Sequence, residues 1–196
     1  MTVALKNYTG RDILPFAEDL ARLRIKVFRS FPYLYDGDMT YEQTYIDTYA
    51  RSADSLFVLA FDGDQVVGAA TGIPMADETD EFKQPFLDQG YQPDRIFYFG
   101  ESVLLPEYRG RGIGVGFFEH RECHAREQGG FTHCCFCAVE RPSDHPLRPS
   151  GYQPLDEFWH KRGYTRVPAL NTKYRWRDIG ETVQTAKPMT FWLKSL

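Results

Sequence analysis

Arg109-Gly110-Arg111-Gly112-Ile113-Gly114 decides the fold. The stretch follows an apolar run, Phe97–Leu105, and opens a helical run that lasts to about Gln128. It therefore reads as strand, tight turn and helix N-terminus. A helix start leaves backbone N–H groups without intrahelical acceptors and carries partial positive charge. Glycines let the backbone approach a ligand without a clash at Cβ. A diphosphate is the natural occupant of such a turn. The cluster points to a phosphate-bearing cofactor.

Spacing narrows the choice. A lysine-ended nucleoside-triphosphate loop needs Gly-Lys-Ser/Thr, and no Lys lies between Lys83 and Lys161. The dinucleotide fingerprint G-x-G-x-x-G fails as well. From Gly110 its third glycine falls at Val115, and from Gly112 at Phe117. What matches is Arg109-x-x-Gly112-x-Gly114, led by Leu104-Leu105-Pro106-Glu107-Tyr108. In that setting the loop strongly resembles the coenzyme-A loop of the GCN5-related N-acetyltransferase (GNAT) family.

The rest of the chain is read outward from the loop. The spacing predicts a strand over Val3–Tyr8 and a helix over Asp12–Phe28, with Ile13, Phe16, Leu20, Leu23 and Val27 on one face. Phe31–Tyr41 is a loop, Tyr41–Arg51 a helix, and Ser55–Phe61 with Gln65–Ile73 a hairpin turning at Asp62-Gly63-Asp64. Pro74–Arg95 is a long acidic insert with a short helix around Asp80–Gln89. Ile96–Leu105 is one strand, Gly112–Gln128 a helix closed by Gly129-Gly130. Phe131–Val139, Arg166–Trp176 and Pro188–Leu193 are strands, and Leu155–Arg162 is a helix ended by Gly163. This order matches the family order over nearly the whole chain. Phe158-Trp159-His160-Lys161-Arg162-Gly163-Tyr164 adds a second resemblance, to the family's Phe-Tyr-x-x-x-Gly-Phe segment. It implies that Trp159 lies beside the glycine loop. The fold expected is α/β (α+β): one acyltransferase domain over residues 1–196, its mixed, mostly antiparallel sheet flanked by helices.

Composition sets outer limits. A chain of 196 residues suits one domain with a sizeable core. A net charge of -4 argues against nucleic acid as main partner and is compatible with cationic substrates. Met1–Gly10 shows no basic region followed by an apolar run, and no stretch approaches the roughly 18 consecutive apolar residues of a membrane span. A cytoplasmic protein is the default, with no membrane partner. Cys134, Cys135 and Cys137 crowd one strand, Cys123 sits on the preceding helix, and no CxxC pair exists. They read as small core residues rather than a disulfide or zinc framework. His120 and His124 share the i, i+4 spacing of a metal pair, but residue 121 is Arg, so a polar, exposed helix face is the better reading and no metal is expected.

The resemblance implies a function: acyl transfer, with acetyl-CoA as co-substrate, to a small primary amine, by direct attack in a ternary complex. No cysteine stands where the family resemblance would place a nucleophile. Carried over residue by residue, the pantetheine arm falls to the backbone of Ser102, Val103 and Leu104. The diphosphate falls to Arg109 and the N–H groups of Gly110, Arg111, Gly112, Ile113, Gly114 and Val115. An oxyanion donor would come from near Val103 or Leu104. Glu101, just upstream, is the candidate general base. The family's acidic tyrosine is here Trp159, whose indole cannot donate a proton catalytically. The family's asparagine seven residues earlier is Tyr152, which leaves Tyr152 and His145 as candidate acids. Phe31, Tyr33 and Tyr35, with Asp36, Asp38, Tyr41 and the insert Asp77–Asp94, fall where the family meets its acceptors. Aromatic faces beside carboxylates suit a cationic amine. Exposed aromatics serve a pocket or a homodimer equally well. The missing tyrosine at Trp159 keeps one alternative open, a non-catalytic acyl-CoA-binding or sensing protein.

Overall fold

The computed structural model describes residues 3–196; the first two residues of the Met1–Gly10 segment lie outside it. Eight strands form one sheet: β1 (Ala4–Thr9), β2 (Leu56–Asp62), β3 (Gln65–Pro74), β4 (Ile96–Tyr98), β5 (Ser102–Leu104), β6 (His133–Val139), β7 (Thr165–Trp176) and β8 (Thr185–Ser195). The spatial order is β1-β2-β3-β4-β6-β8-β7, and β5 pairs with β3 beyond β4. Only the β4–β6 pairing is parallel; the other pairs named are antiparallel. Five helices join them: α1 (Ala17–Phe28), α2 (Met39–Arg51), α3 (Asp80–Asp88), α4 (Ile113–Gln128) and α5 (Asp156–His160). Among the described residues no helix is long and apolar enough to cross a membrane.

The expected helix over Asp12–Phe28 forms in two parts. Gly10–Phe16 is a 3-10 segment, and the α-helix starts at Ala17. Pro15 is the cause: it has no N–H to donate, and its ring crowds the carbonyl four residues back. The α2 helix starts two residues before its predicted Tyr41, because the side chain of Asp38 caps it by accepting the Tyr41 N–H (3.0 Å).

The larger correction is at Ile96–Leu105, which is two strands. β4 pairs with β6 as far as Tyr98↔Cys135, and Phe99 N–H still donates to Cys135 O (2.8 Å). Beyond that point β6 continues against β8, and β5 follows β3 alone. The two strands part at Phe99–Glu101. A buried arginine on α4 holds the opening. Arg121 donates from Nη1 to Thr71 O (3.2 Å) and Glu101 O (3.0 Å), from Nη2 to Ser102 Oγ (2.9 Å), and from Nε to Phe117 O (3.0 Å). Burial pulls its pKa down to about 10, which leaves the guanidinium charged at neutral pH. On the other side of the sheet Glu101 meets Arg24 of α1. Helices α1 and α4 thus cover opposite faces, and the split strand lies between them.

Alternation along β6 holds as expected. Cys137 Sγ faces Tyr98 Oη (3.2 Å), while Cys134 faces α4, near Arg121 and Glu122. Burial pushes the Cys134 and Cys137 thiols up to about 12. The pair His120 and His124 is a correction. His124 is buried, packs on the Phe97 ring (5.5 Å) and bonds Asp54 O through Nε2 (3.0 Å). His120 instead meets Asn7 Oδ1 (2.7 Å). Among the described residues no three His, Cys, Asp or Glu converge on a metal position.

Candidate active site

The glycine loop forms as a turn into α4. Gly110 and Gly112 have φ of +75° and +82°, the left-handed region that glycine enters without strain. A Cβ built on either would meet nothing within 4 Å, so the concave side is open. The first helical bonds are those that Val115 (2.9 Å) and Gly116 (3.1 Å) donate to Gly112 O. The N–H groups of Ile113 and Gly114 precede them and face out of the helix start, an anion cradle. Arg111 is held beside it by Glu107 O (2.9 Å) and by the Tyr108 ring (5.2 Å). Arg109 reaches back to Leu104 O (3.4 Å).

Next to the cradle, β5 has one free edge. Leu105 N–H donates to Val67 O (3.0 Å), and Thr71 N–H to Glu101 O (3.1 Å). The odd-numbered residues therefore bond to β3. Strand alternation turns the N–H and C=O of Ser102 and Leu104 toward the opening beside β6. An extended amide-bearing chain fits there as an added strand. The loop and this edge together fit a diphosphate followed by a pantetheine arm.

On the α1 side lies a cavity of about 280 Å³. Helix α2 gives it Tyr41, Tyr45 and Tyr49, spaced four apart and so on one face. The α1–α2 loop adds Tyr33 and Tyr35, and strands β4, β7 and β8 add Tyr98, Tyr174, Trp176 and Met189. At one end stands a charged group. Glu101 Oε2 accepts from the Tyr45 hydroxyl and pairs with Arg24 Nη1, while Arg24 Nε bonds Glu42 Oε2. Glu101 Oε1 is buried without a hydrogen-bond partner. Glu78 is a second buried carboxyl, bonded by the Tyr49 hydroxyl (2.6 Å) and Thr79 N–H (3.1 Å). Gly100 closes this end; a Cβ there would come within 2.6 Å of the Tyr45 hydroxyl and 2.8 Å of Thr71 Oγ1.

Burial raises the Glu78 pKa against the Tyr49 and Thr79 hydrogen bonds, which lower it. Its proton is thus held more tightly in the folded than in the unfolded chain. The stability from that proton is present below the unfolded value and is lost as pH rises from about 4.5 through the folded pKa. Glu78→Gln removes the titration. Its unfolding free energy, measured in urea between pH 4 and pH 8, is expected to fall less with pH than that of the parent protein. At this chain length each kcal/mol recovered raises Tm by about 2–4 °C. Equal slopes would show that Glu78 stays ionised when buried.

The other predicted residues divide between the cavity and the loop beside it. Tyr33 is fixed over the cavity by Arg141, which donates to Tyr33 O and Pro32 O (2.7 Å each) and is held by Asp178. The Tyr33 hydroxyl pKa is raised, first by burial, then by the nearby Cys137 thiol and Tyr152 phenol. Phe31 does not line the cavity among the described residues. It packs edge-on against Tyr152 (4.7 Å) and near His145 (5.7 Å). Burial raises the Tyr152 pKa, and Arg148 over its ring (4.9 Å) opposes the rise. His145 Nδ1 accepts Leu147 N–H (3.1 Å), a local turn bond. Trp159 packs against Phe136 (5.1 Å) and Trp192 (5.0 Å), while its neighbour Phe158 is 3.4 Å from where a Gly114 Cβ would be. The α5 segment thus reaches the loop through Phe158.

Arg24, Glu42 and Arg121 are functional neighbours that sequence reasoning missed, whereas Glu78 belongs to the insert Asp77–Asp94 already read as an acceptor region. The three missed residues each carried a signal. Arg24 shares its helix stripe with Leu20 and Val27, Glu42 with Ile46 and Tyr49, and Arg121 with Phe117 and Ala125. A charged residue inside an apolar stripe is buried and paired, or it does not fold.

A split strand, a turn with free N–H groups and a cavity meet at one carboxylate, Glu101. The chain belongs to the acetyltransferase (GNAT) family, whose profile matches residues 20–149. No curated protein matches the sequence. Among solved structures the chain is similar to ribosomal-protein-alanine N-acetyltransferase of Brucella melitensis, with 15% identity, TM-score 0.62, and 98% and 99% of the two chains covered. PaiA N-acetyltransferase of Thermoplasma acidophilum, solved with coenzyme A, aligns at 13% identity and TM-score 0.58 over 100% of both chains. The protein yncA of Salmonella typhimurium, solved with its cofactor acetyl-CoA, aligns at 11% identity and TM-score 0.63, over 100% of this chain and 95% of that one. At these identities the likeness shows the shared fold.

Proposed function

We propose that the protein transfers an acetyl group from acetyl-CoA to the primary amine of a small molecule, by direct attack with both substrates bound. The observation that carries this reading is Glu101, a buried carboxylate with one unpartnered oxygen between the cavity and the free edge of β5. Family membership and the coenzyme-bound neighbours support acetyl-CoA as donor. Arg109 and the N–H groups from Gly110 to Gly114 hold the diphosphate, Ser102 and Leu104 align the pantetheine arm, and Leu104 N–H faces the carbonyl oxygen; Val115 and Val103, the other donors the resemblance implies, are spent on Gly112 O and on β3. Acetyl-CoA supplies a thioester carbon open to attack and a thiolate that leaves.

Glu101 takes one proton from the substrate ammonium, directly or through water, and passes it to solvent. The freed amine forms the C–N bond as the C–S bond breaks. The second nitrogen proton, shed as the amide forms, ends on the departing sulfur; Tyr152, whose ring lies 4.7 Å from Phe31 and whose phenol raises the pKa of Tyr33, is our choice over His145 to relay it. The Cys137 thiol, pushed up to about 12, is too weakly acidic to serve as a nucleophile at neutral pH. Four free cysteines, three of them buried, fit a reducing, cytoplasmic setting.

The test is thiol release from acetyl-CoA. Release is expected to depend on added amine and to match acetylamine formed one to one. Tight coenzyme binding with no amine-dependent release would instead establish the sensing alternative, for which Trp159 in place of the family tyrosine speaks.

A further inference from the structure

Building on the acetyl-transfer reading, we infer that the acceptor is a primary amine carrying a single positive charge on a planar, apolar body, and that acceptors bearing a carboxylate are rejected. The walls come first. Tyr33, Tyr35, Phe82, Tyr174 and Trp176 surround the cavity with rings. Several hydroxyls are already spent inside the protein: Tyr41 and Tyr174 bond each other (2.6 Å), Tyr45 bonds Glu101, and Tyr49 bonds Glu78. Apart from the Tyr35 hydroxyl, which is buried without a partner, what these walls offer a ligand is chiefly ring faces and edges. Such surfaces favour an aromatic body by stacking and edge-to-face contact.

Charge is confined to the Gly100 end. Arg24 is the basic residue lining the cavity among the described residues, and two carboxylates already hold it, Glu42 at Nε and Glu101 at Nη1, with the Tyr45 ring centroid 3.7 Å from the guanidinium. A substrate carboxylate would be a third on one cation and would lie beside Glu101, which costs strongly in a buried site. Glu42 and Glu101 are two carboxylates on the one Arg24 guanidinium. Both oxygens of Glu78 already accept, from Tyr49 and from Thr79 N–H. Glu101 Oε1 is left as the carboxylate oxygen of the cavity lining that lacks a donor. One ammonium satisfies that oxygen, and a second would find no other carboxylate oxygen of the lining without a donor, since Tyr49 and Thr79 N–H hold both oxygens of Glu78. Size agrees: 280 Å³ holds about nine water-sized volumes, enough for an amine of about ten heavy atoms.

Three probes separate charge from shape: 2-phenylethylamine, phenylalanine, which adds a carboxylate to the same body, and spermidine, which adds charges and removes the ring. Dissociation constants for the full chain come from calorimetry without coenzyme, and kcat/KM from thiol release. Phenylethylamine is expected to show a dissociation constant at least 100-fold lower, and a kcat/KM at least 100-fold higher, than each of the others. Tyr174→Leu should raise KM for phenylethylamine about tenfold and leave KM for acetyl-CoA unchanged. Equal or greater activity with phenylalanine or spermidine overturns the inference while acetyl transfer stands. Selective calorimetric binding of phenylethylamine with no thiol release upholds the inference and removes the transferase reading instead. Binding of none of the three overturns it.

Discussion

Glu101→Gln is expected to lower kcat/KM for the amine by ~10²–10⁴-fold while the dissociation constant of coenzyme A stays where it was. The substitution keeps the size and shape of the side chain. The Tyr45 hydroxyl still has an oxygen to donate to, and Arg24 still has Glu42. What is lost is the group that accepts the ammonium proton. The coenzyme loop lies beyond β5 and is untouched. The pH profile tells a base from a charge that only holds the amine. Without a base the enzyme depends on amine that is already neutral, so the variant's rate should rise about tenfold per pH unit until the amine's own pKa is reached. A carboxylate that only attracted the cation would instead leave the pH profile of kcat unchanged on removal and raise KM. If kcat/KM of Glu101→Gln stayed within threefold of the parent, Glu101 would have neither role.

The fold and the glycine turn were legible because local chemistry dictates them. Gly110 and Gly112 are needed where φ is positive, and the apolar run before them can only be a strand. The division of that run into β4 and β5 was not legible. It depends on Arg121 entering from a helix twenty residues later and bonding Thr71 O and Glu101 O, a contact between three segments distant in sequence. The acceptor half was half-visible. Tyr33 and Tyr35 read as acceptor residues and do line the cavity. The cavity itself needed α2 to turn Tyr41, Tyr45 and Tyr49 toward β4, and needed Glu78 to fold inward from the acidic insert. Phe31 shared every composition cue with Tyr33, but the chain turns between them, and Phe31 faces Tyr152 instead. Side-chain direction in a loop of this kind is fixed by tertiary anchors, here Arg141 and Asp178, and not by neighbours in sequence.

Gly112→Asp is expected to weaken coenzyme A binding at least 100-fold and to erase its thermal stabilisation, which for the parent protein should be about 2.7 kcal/mol at a ligand concentration of one hundred times Kd. Two effects act together. An L-residue at φ +82° is strained, by ~1–2 kcal/mol. A carboxylate at the helix start then stands where the diphosphate must sit; like charges about 4 Å apart at an effective dielectric of 20 repel by ~4 kcal/mol. Repulsion outweighs strain, and it acts only when the ligand is present. The fold should survive. The Cβ position is open, Asp enters left-handed backbone more readily than most residues, and a carboxylate is itself a good partner for the free N–H groups at a helix N-terminus. Gly112→Asn carries the same shape and strain without the charge, so it should fall between the two, closer to the parent. The ratio of the Asp to the Asn dissociation constant then measures the charge of what the loop holds. It should shrink on removal of the 3′-phosphate from the ligand only if that phosphate, rather than the bridging diphosphate, occupies the turn. A ratio near one for the intact coenzyme would mean that no anion lies against Gly112, and the cradle would have to be sought elsewhere.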